Sequence, residues 1–233
     1  MTDLLDIKKM SVSFQTEYET TDAVRDVSIK LRPGEVLGIV GESGAGKSTI
    51  GNAIVNLLEP PGEITTGEVL FKGQDLRNLD DKEMRDVRGK KIGMIFQDPQ
   101  TSLNPLMTIG AQLIETINKT INLYGSEATN KAIELLESVG IDEPEARLNL
   151  YPHQFSGGMR QRVVIALALA GEPDLIIADE PTTALDVSIQ AQILDLIKKL
   201  CQERQVGVII ITHDIGVIAN ISDRVTVMFN GQA

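Results

Sequence analysis

The sequence predicts an α/β fold in which helices flank a largely parallel sheet and an all-helical segment interrupts it. Short apolar runs alternate with stretches of helical periodicity, a pattern typical of parallel sheets. A glycine-rich turn joins one such run, residues 36–40, to a following helix. Between residues 108 and 139 the apolar positions keep a helical spacing without strand signals, which indicates an inserted helical unit.

Composition limits the size and class of the protein. The chain has 233 residues, of which 42% are hydrophobic, so we expect one large domain or a domain with a subdomain. A net charge of −11 argues against a broad nucleic-acid-binding face. The single cysteine, Cys201, excludes an internal disulfide and suits a reducing cytoplasm. The sequence lacks a secretory signal and a run of ~18 apolar residues, so we expect any membrane role to depend on a partner.

The first half of the chain is predicted to hold five strands and two helices. Two of these strands alternate in part between apolar and polar residues, as half-buried strands do. Pro33 and Gly34 mark a turn, and Pro60, Pro61 and Gly62 break the chain after the first helix. The predicted strands are 5–14, 24–31, 36–40, 67–73 and 91–96, and the predicted helices are 50–58 and 80–88.

The second half returns to alternation after the helical segment. Helices are predicted at 157–170 and 188–201, and apolar residues at helical spacing give the second of them one apolar face. Buried strands are predicted at 175–178, 206–211 and 225–229. Because the sequence stops directly after a strand, we expect the natural polypeptide to continue beyond residue 233.

The turn at residues 41–49 matches Gly-x-x-x-x-Gly-Lys-Ser, the phosphate-binding loop. Its glycines let backbone N–H groups turn inward around an anion, and the following helix directs its positive end to the same point. Lys47 supplies a charge for the terminal phosphates and Ser48 a ligand for Mg²⁺. The predicted nucleotide-binding residues here are Gly41, Ser43, Gly44, Ala45, Gly46, Lys47, Ser48 and Thr49.

Two carboxylates, Asp179 and Glu180, follow the apolar run 175–178. A phosphate loop needs an acid at a strand end to hold Mg²⁺, and Asp179 fits that role. Glu180, one residue further on, can orient and deprotonate an attacking water. Read alone, the pair is equally compatible with solvated carboxylates, and only the phosphate loop favours the catalytic interpretation.

A second glycine loop, Ser156-Gly157-Gly158, opens the helix predicted at 157–170. Exposed N–H groups at a helix N-terminus together with a serine hydroxyl form an anion site. By itself, this segment is better explained as a serine N-cap followed by glycines.

Together these motifs resemble the ATP-binding cassette (ABC) ATPases over essentially the whole chain. The phosphate loop, the Ser-Gly-Gly loop, Asp179-Glu180, residues 183–186 and the late His213 occur in the order that family shows. The resemblance implies a P-loop NTPase (RecA-like) core with an antiparallel β subdomain at residues 1–98 and 158–233, and an α-helical signature subdomain at 99–157.

The resemblance also implies a head-to-tail dimer with ATP between the subunits. The phosphate loop of one subunit and Ser156, Gly157 and Gly158 of the other hold the same nucleotide. Asp186 is then expected at the dimer interface. Adenine is expected to stack on an aromatic ring early in the chain, with Tyr18 as the best candidate and Phe14 as the alternative.

Catalytic roles follow from the same resemblance. Glu180 is the expected general base, and His213 is expected to contact the γ-phosphate and hold Glu180. Gln97 is expected to touch Mg²⁺ and the attacking water, so that Ser48, Gln97 and Asp179 are the predicted metal ligands. His153 matches no catalytic position and is interpreted as structural. The signature loop departs from the family pattern in having Phe155 for Leu and Met159 for Gln.

Segment 96–105 resembles the dipeptide/oligopeptide and nickel importer ATPases more narrowly, and Arg88-Gly89 and residues 151–155 agree with that subfamily. The implied partners are a second ABC ATPase, identical or paralogous, two permease subunits and, indirectly, an extracytoplasmic solute-binding protein. The implied location is peripheral, on the cytoplasmic face of the membrane. The implied cofactors are ATP and Mg²⁺.

Two other functional classes fit the sequence less well. Non-transport ABC ATPases that act on DNA or ribosomes carry long insertions between the two glycine loops, whereas here that interval is short and the chain is acidic. A small-molecule kinase would share the phosphate loop but leaves Ser156-Gly157-Gly158 and His213 unexplained.

Overall fold

Nine strands and nine α-helices make up the part of the chain that the computed structural model describes, residues 3–16, 18–182 and 185–233. In chain order they are β1 (Leu5–Gln15), β2 (Thr20–Leu31), β3 (Val36–Gly41), α1 (Lys47–Ile54), β4 (Gly62–Phe71), β5 (Gln74–Asp75), α2 (Asp81–Val87), β6 (Ile92–Ile95), α3 (Pro99–Ser102), α4 (Ile109–Ile121), α5 (Gly125–Ser138), α6 (Pro144–Arg147), α7 (Gly157–Leu169), β7 (Leu175–Asp179), α8 (Val187–Arg204), β8 (Gly207–Thr212), α9 (Ile215–Ile221) and β9 (Arg224–Met228). Among these residues, none of the helices is both long and apolar enough to cross a bilayer.

The larger sheet is parallel, with strand order β6-β7-β8-β3-β9. Its central strands are apolar along their length because both faces are covered, as parallel sheets require. Alternate side chains of β3 enter two different cores: Val36 and Val40 join the one that includes the helical segment. Leu37 and Ile39 join the other core, which lies beneath the smaller sheet of β1, β2, β4 and β5. The sheet is therefore the layer that joins both halves of the molecule.

The smaller sheet is antiparallel, with order β2-β1-β4-β5. Register shifts interrupt the pairing of β1 with both neighbours, and such irregularities increase the local twist of a sheet. Its inner face, including Leu5, Ile7 and Val27, packs with α1 and the parallel sheet in one core. This packing brings the start of β2 next to the loop that precedes α1.

The inserted segment is helical because its apolar residues recur at helical spacing. Thr108 caps α4 by accepting a hydrogen bond from the Ala111 N–H at 3.2 Å, and Asn122 ends it in a left-handed conformation, φ 57°. The residues that form its core are Ile109, Leu113 and Ile117 of α4 and Ala128, Ala132, Leu135 and Leu136 of α5.

The predicted α/β fold class is confirmed, and so are the long helices and the central strands. Residues 225–229 are predicted to form a buried strand. A strand is present there, but the prediction that it is buried is wrong. β9 lies at the edge of the parallel sheet, and Val227 and Phe229 are 61% and 63% exposed. An apolar run shows β propensity but does not show whether a neighbouring element covers it. The strand predicted at 67–73 begins earlier, at Gly62, because pairing with β1 extends it.

Candidate functional site

The loop between β3 and α1 is a glycine turn with left-handed backbone at two positions. Gly44 and Gly46 have φ of 80° and 91°, values that favour glycine. A Cβ on Gly46 would lie 2.3 Å from the backbone oxygen of Ala23, at the start of β2. The conformation and this close approach explain why the last glycine of the motif is needed. The loop is thus held between the two sheets at the N-terminus of α1, where backbone N–H groups bind anions.

Lys47 is the first residue of α1 and is only 5% exposed. Its ammonium donates hydrogen bonds to the carbonyl oxygens of Gly41 and Glu42, at 2.9 and 2.8 Å. These bonds fold the side chain back along the loop, so that the charge lies against the loop backbone. The positive charge and the positive end of α1 therefore act on the same space.

Ser48 joins the loop to the end of β7. Its hydroxyl lies 3.0 Å from Oδ1 of Asp179. Burial raises the pKa of Asp179, and the charge of Glu180 acts in the same direction, while the Ser48 hydrogen bond and Lys47 oppose them. A hydroxyl and a carboxylate so close together are hard oxygen donors of the kind that Mg²⁺ prefers.

Glu180 lies between two polar side chains from neighbouring strands. Gln97, which follows β6, donates from Nε2 to Oε2 of Glu180 at 3.2 Å. Nδ1 of His213, which follows β8, lies 3.0 Å from Oε1 of the same carboxylate. The three residues meet because β6, β7 and β8 are adjacent and parallel, so that their carboxyl ends share one edge. Glu180 itself has φ 46°, a left-handed value that turns the chain away from the strand.

These groups surround one open cavity of about 540 Å³. It brings together most of the residues predicted for nucleotide binding and catalysis, together with one that the sequence did not indicate. The lining residues are Ala23, Ser43, Gly44, Gly46, Lys47, Ser48, Thr49, Gln97, Glu180 and His213. Ala23 was missed because nothing in its local sequence marks it, and only the packing of β2 against the loop brings it there. Of the other predicted loop residues, Gly41 accepts from Lys47, and Ala45 is buried.

The two aromatic candidates for adenine stacking differ in their surroundings. The Tyr18 side chain is 95% exposed, in the turn between β1 and β2. Phe14 is partly buried against the core beneath the antiparallel sheet, with its ring edge close to Gly62. Tyr18 therefore has the free ring face that stacking needs, although it does not line the cavity described above.

The second glycine loop lies apart from this cavity. Ser156 caps α7 by accepting a hydrogen bond from the Met159 N–H at 3.3 Å. A Cβ on Gly158 would lie 2.9 Å from the Ile189 side chain of α8. Asp186 caps α8 through Ile189 N–H at 3.0 Å. Ser156, Gly157, Gly158 and Asp186 thus form a separate cluster, and none of them lines the cavity.

Two further sequence predictions concern the surroundings of that cluster. His153 is exposed and stacks on Tyr151, with ring centroids 5.7 Å apart and an interplanar angle of 15°. It lies just before the second glycine loop and away from the cavity lining. Thr183 and Ala184, which belong to the predicted motif at 183–186, lie outside the described residues.

The chain is similar to peptide transport proteins of Bacillus subtilis (strain 168). It is 56% identical over 233 residues to the oligopeptide transport ATP-binding protein OppD, covering 100% of this chain and 65% of that protein. It is 52% identical over 233 residues to the dipeptide transport ATP-binding protein DppD, covering 100% of this chain and 70% of that protein. The chain therefore spans roughly two thirds of the length of these relatives, and slightly less in the case of OppD.

A solved structure is similar along nearly the whole chain. It is the dimeric ATP-binding cassette MJ0796 in a post-hydrolysis state bound to ADP and Pi, with a TM-score of 0.85 and 34% identity over 98% of this chain and 96% of that one. The family model for ABC transporters matches residues 24–183, which include both the phosphate loop and the Asp179-Glu180 pair. With its motifs, its fold and its relatives in agreement, the chain belongs to the ABC transporter family and carries that family's ATP-binding cassette.

Proposed function

We propose that this chain is the ATP-binding and hydrolysing subunit of an ABC importer for dipeptides or oligopeptides. The assignment of ATP hydrolysis rests on the position of Glu180. Its carboxylate contacts Gln97 and His213, and it lines the same cavity as Lys47 and Ser48. The relatives named for oligopeptide and dipeptide transport support the substrate class.

ATP binds with its phosphates in the loop 41–49. Lys47 and the amides at the start of α1 neutralise phosphate charge, and the exposed Tyr18 ring stacks on adenine. Glu180 orients a water molecule for attack on the γ-phosphate and accepts its proton. His213 contacts the γ-phosphate and keeps the Glu180 carboxylate in position.

Mg²⁺ fits the donors at this site. Ser48 and Asp179 offer a hydroxyl and a carboxylate whose oxygens are 3.0 Å apart, and Gln97, which lines the same cavity as Ser48, offers an amide oxygen. We assign these three residues as the metal ligands, directly or through water. The ion supplies charge neutralisation for the phosphates during transfer.

Two chains complete each site. The cluster of Ser156, Gly157, Gly158 and Asp186 does not line the cavity of its own chain, whereas the similar cassette MJ0796 was solved as a dimer. We infer a head-to-tail dimer in which this cluster closes over the ATP of the partner. The partner is a second ABC ATPase, either identical or paralogous.

The remaining assignments describe the assembly. Residues 1–98 and 158–233 act as the RecA-like core with its β subdomain, and residues 99–157 act as the helical signature subdomain. ATP-driven closure of the dimer moves two permease subunits, which receive solute from an extracytoplasmic binding protein. The chain lies peripherally on the cytoplasmic face of the membrane and has no nucleic-acid partner.

Replacing the general base tests the catalytic assignment. Glu180→Gln preserves the shape of the side chain but removes its basicity, so we expect ATP binding to persist while turnover falls by about 10²–10⁴-fold. The variant should also accumulate an ATP-bound dimer, measured by size-exclusion chromatography with light scattering.

The matched control is Glu134→Gln, the same change at an exposed position of α5. It should hydrolyse ATP as the unmodified chain does. Hydrolysis by Glu180→Gln at the rate of this control would exclude Glu180 as the base.

A further inference from the structure

Arg88 joins the far end of the phosphate-loop helix to the strand that leads to Gln97. Its guanidinium donates from Nε to the carbonyl of Val55 at 2.7 Å and from Nη2 to the carbonyl of Asn56 at 2.6 Å. Both carbonyls lie just beyond the last residue of α1, where a helix leaves its C=O groups without partners in the helix. A cation at this end also interacts favourably with the helix dipole.

The residue after Arg88 fixes the same junction to β6 and α7. The Gly89 N–H donates to the carbonyl of Ile92 in β6 at 2.8 Å. Its own carbonyl oxygen lies so close to Gly171, two residues beyond α7, that a Cβ there would be 1.8 Å away. A second close approach follows along β6, where a Cβ on Gly93 would lie 2.4 Å from the backbone oxygen of Ala168.

Three elements that carry functional groups at their opposite ends therefore meet at Arg88-Gly89. α1 begins at the phosphate loop, β6 leads to Gln97, and α7 begins at the Ser156 loop. The contacts are backbone against backbone or bidentate hydrogen bonds from a planar guanidinium, so they permit little independent movement. Around them lies an open cavity of about 550 Å³, lined in part by Val55, Arg88, Gly93 and Ala168.

The geometry points to Arg88 as a positioning residue that transmits the state of the phosphate loop to α7 and its Ser156 loop. ATP that shifts α1 at its first turn also shifts its last carbonyls, and Arg88 passes this shift to β6 and to the C-terminal end of α7. This inference rests on the proposed function, since it assumes that ATP binds at the loop 41–49.

Hydrogen–deuterium exchange, measured at a concentration low enough to keep the chain monomeric, separates ATP binding at the loop 41–49 from transmission to residues 156–160. In the unmodified chain, saturating ATP and Mg²⁺ should protect the amides of 41–49 and also change the exchange of 156–160. In Arg88→Met, which keeps the side-chain length but loses both hydrogen bonds, loop protection should persist. The change in amide exchange that ATP causes at residues 156–160 should be at least threefold smaller than in the unmodified chain.

Two further variants complete the experiment. Arg85→Met removes an exposed arginine from α2, three residues before Arg88. Its guanidinium donates to the Asp81 carbonyl of the same helix, and the variant should behave as the unmodified chain. Arg88→Lys reaches one carbonyl as a point charge and should give an intermediate response. It also provides a folded variant should Arg88→Met not fold.

The outcomes are distinguishable. An unchanged response at 156–160 in both Arg88 variants would overturn the role of Arg88. So would loop protection in the unmodified chain without any response at 156–160. Absence of loop protection in the unmodified chain would overturn the proposed function and, with it, this inference.

Discussion

At the scale of single residues, position within the loop gives Lys47 its importance. Most lysines of this chain are exposed, whereas Lys47 is buried and its ammonium is fixed by two loop carbonyls. Such a charge is already oriented, so little side-chain entropy is lost when a phosphate binds. Without the glycines that precede it, the sequence would give no reason to assign Lys47 to a phosphate site.

We expect Lys47→Ala to lose ATP affinity. A hydrogen bond to a charged group contributes roughly 1.5–3 kcal/mol, so the dissociation constant should rise by about 10–100-fold. Isothermal titration calorimetry with ATP measures this change. Lys82→Ala, on the exposed face of α2, is the control and should bind ATP normally. Equal affinities for the two variants would refute the role given to Lys47.

At the scale of elements, caps define where the functional helices begin. Asp80 accepts hydrogen bonds from the Lys82 and Glu83 N–H groups at 2.9 and 2.8 Å, and Glu83 bonds back to the Asp80 N–H at 3.0 Å. This capping box starts α2, the short helix that ends at Val87, with Arg88 as its C-cap. α7 and α8 likewise begin at the side-chain caps Ser156 and Asp186. Ser156 and Asp186 thus combine a structural role with the nucleotide contacts proposed for them.

We expect Asp80→Ala to lower the free energy of unfolding by about 1 kcal/mol, since it removes the acceptor for two helix N–H groups. Asp81→Ala changes the next carboxylate, which provides no cap, and should cost less than half as much. Urea denaturation followed by circular dichroism measures both. If both variants lost a similar free energy of unfolding, the effect would come from removing a negative charge near the helix N-terminus, and the capping hydrogen bonds would contribute nothing measurable.

At the scale of the whole molecule, the two glycine loops are separate surfaces of one chain. The phosphate-loop cavity is lined on its own chain by Gln97, Glu180 and His213. The Ser156 loop packs against α8 instead, through the close contact of Gly158 with Ile189. Association of two chains is therefore the step that would bring the second loop to a nucleotide.

We expect the isolated chain to bind ATP readily and to hydrolyse it slowly. The rate per chain should rise with protein concentration, or on addition of a paralogous partner ATPase, because association supplies Ser156 to the site. A steady-state ATPase assay over a wide concentration range tests this. A high rate per chain that does not depend on concentration would contradict the composite site.

The sequence by itself determined the local features: the phosphate loop, the helix that follows it, the strand ending in Asp179-Glu180 and the helical insertion. Each depends on backbone and side-chain preferences within about ten residues. The resemblance to a family added the expected roles of Gln97 and His213.

Only the tertiary structure decided which distant residues meet. The adjacency of β6, β7 and β8 puts Gln97 and His213 on either side of Glu180, and the packing of β2 brings Ala23 to the loop. The exposure of β9, the free ring of Tyr18 and the junction at Arg88 were also settled at this level. The physical reason is that strand order and element packing depend on contacts between residues far apart in the chain, which no local pattern specifies.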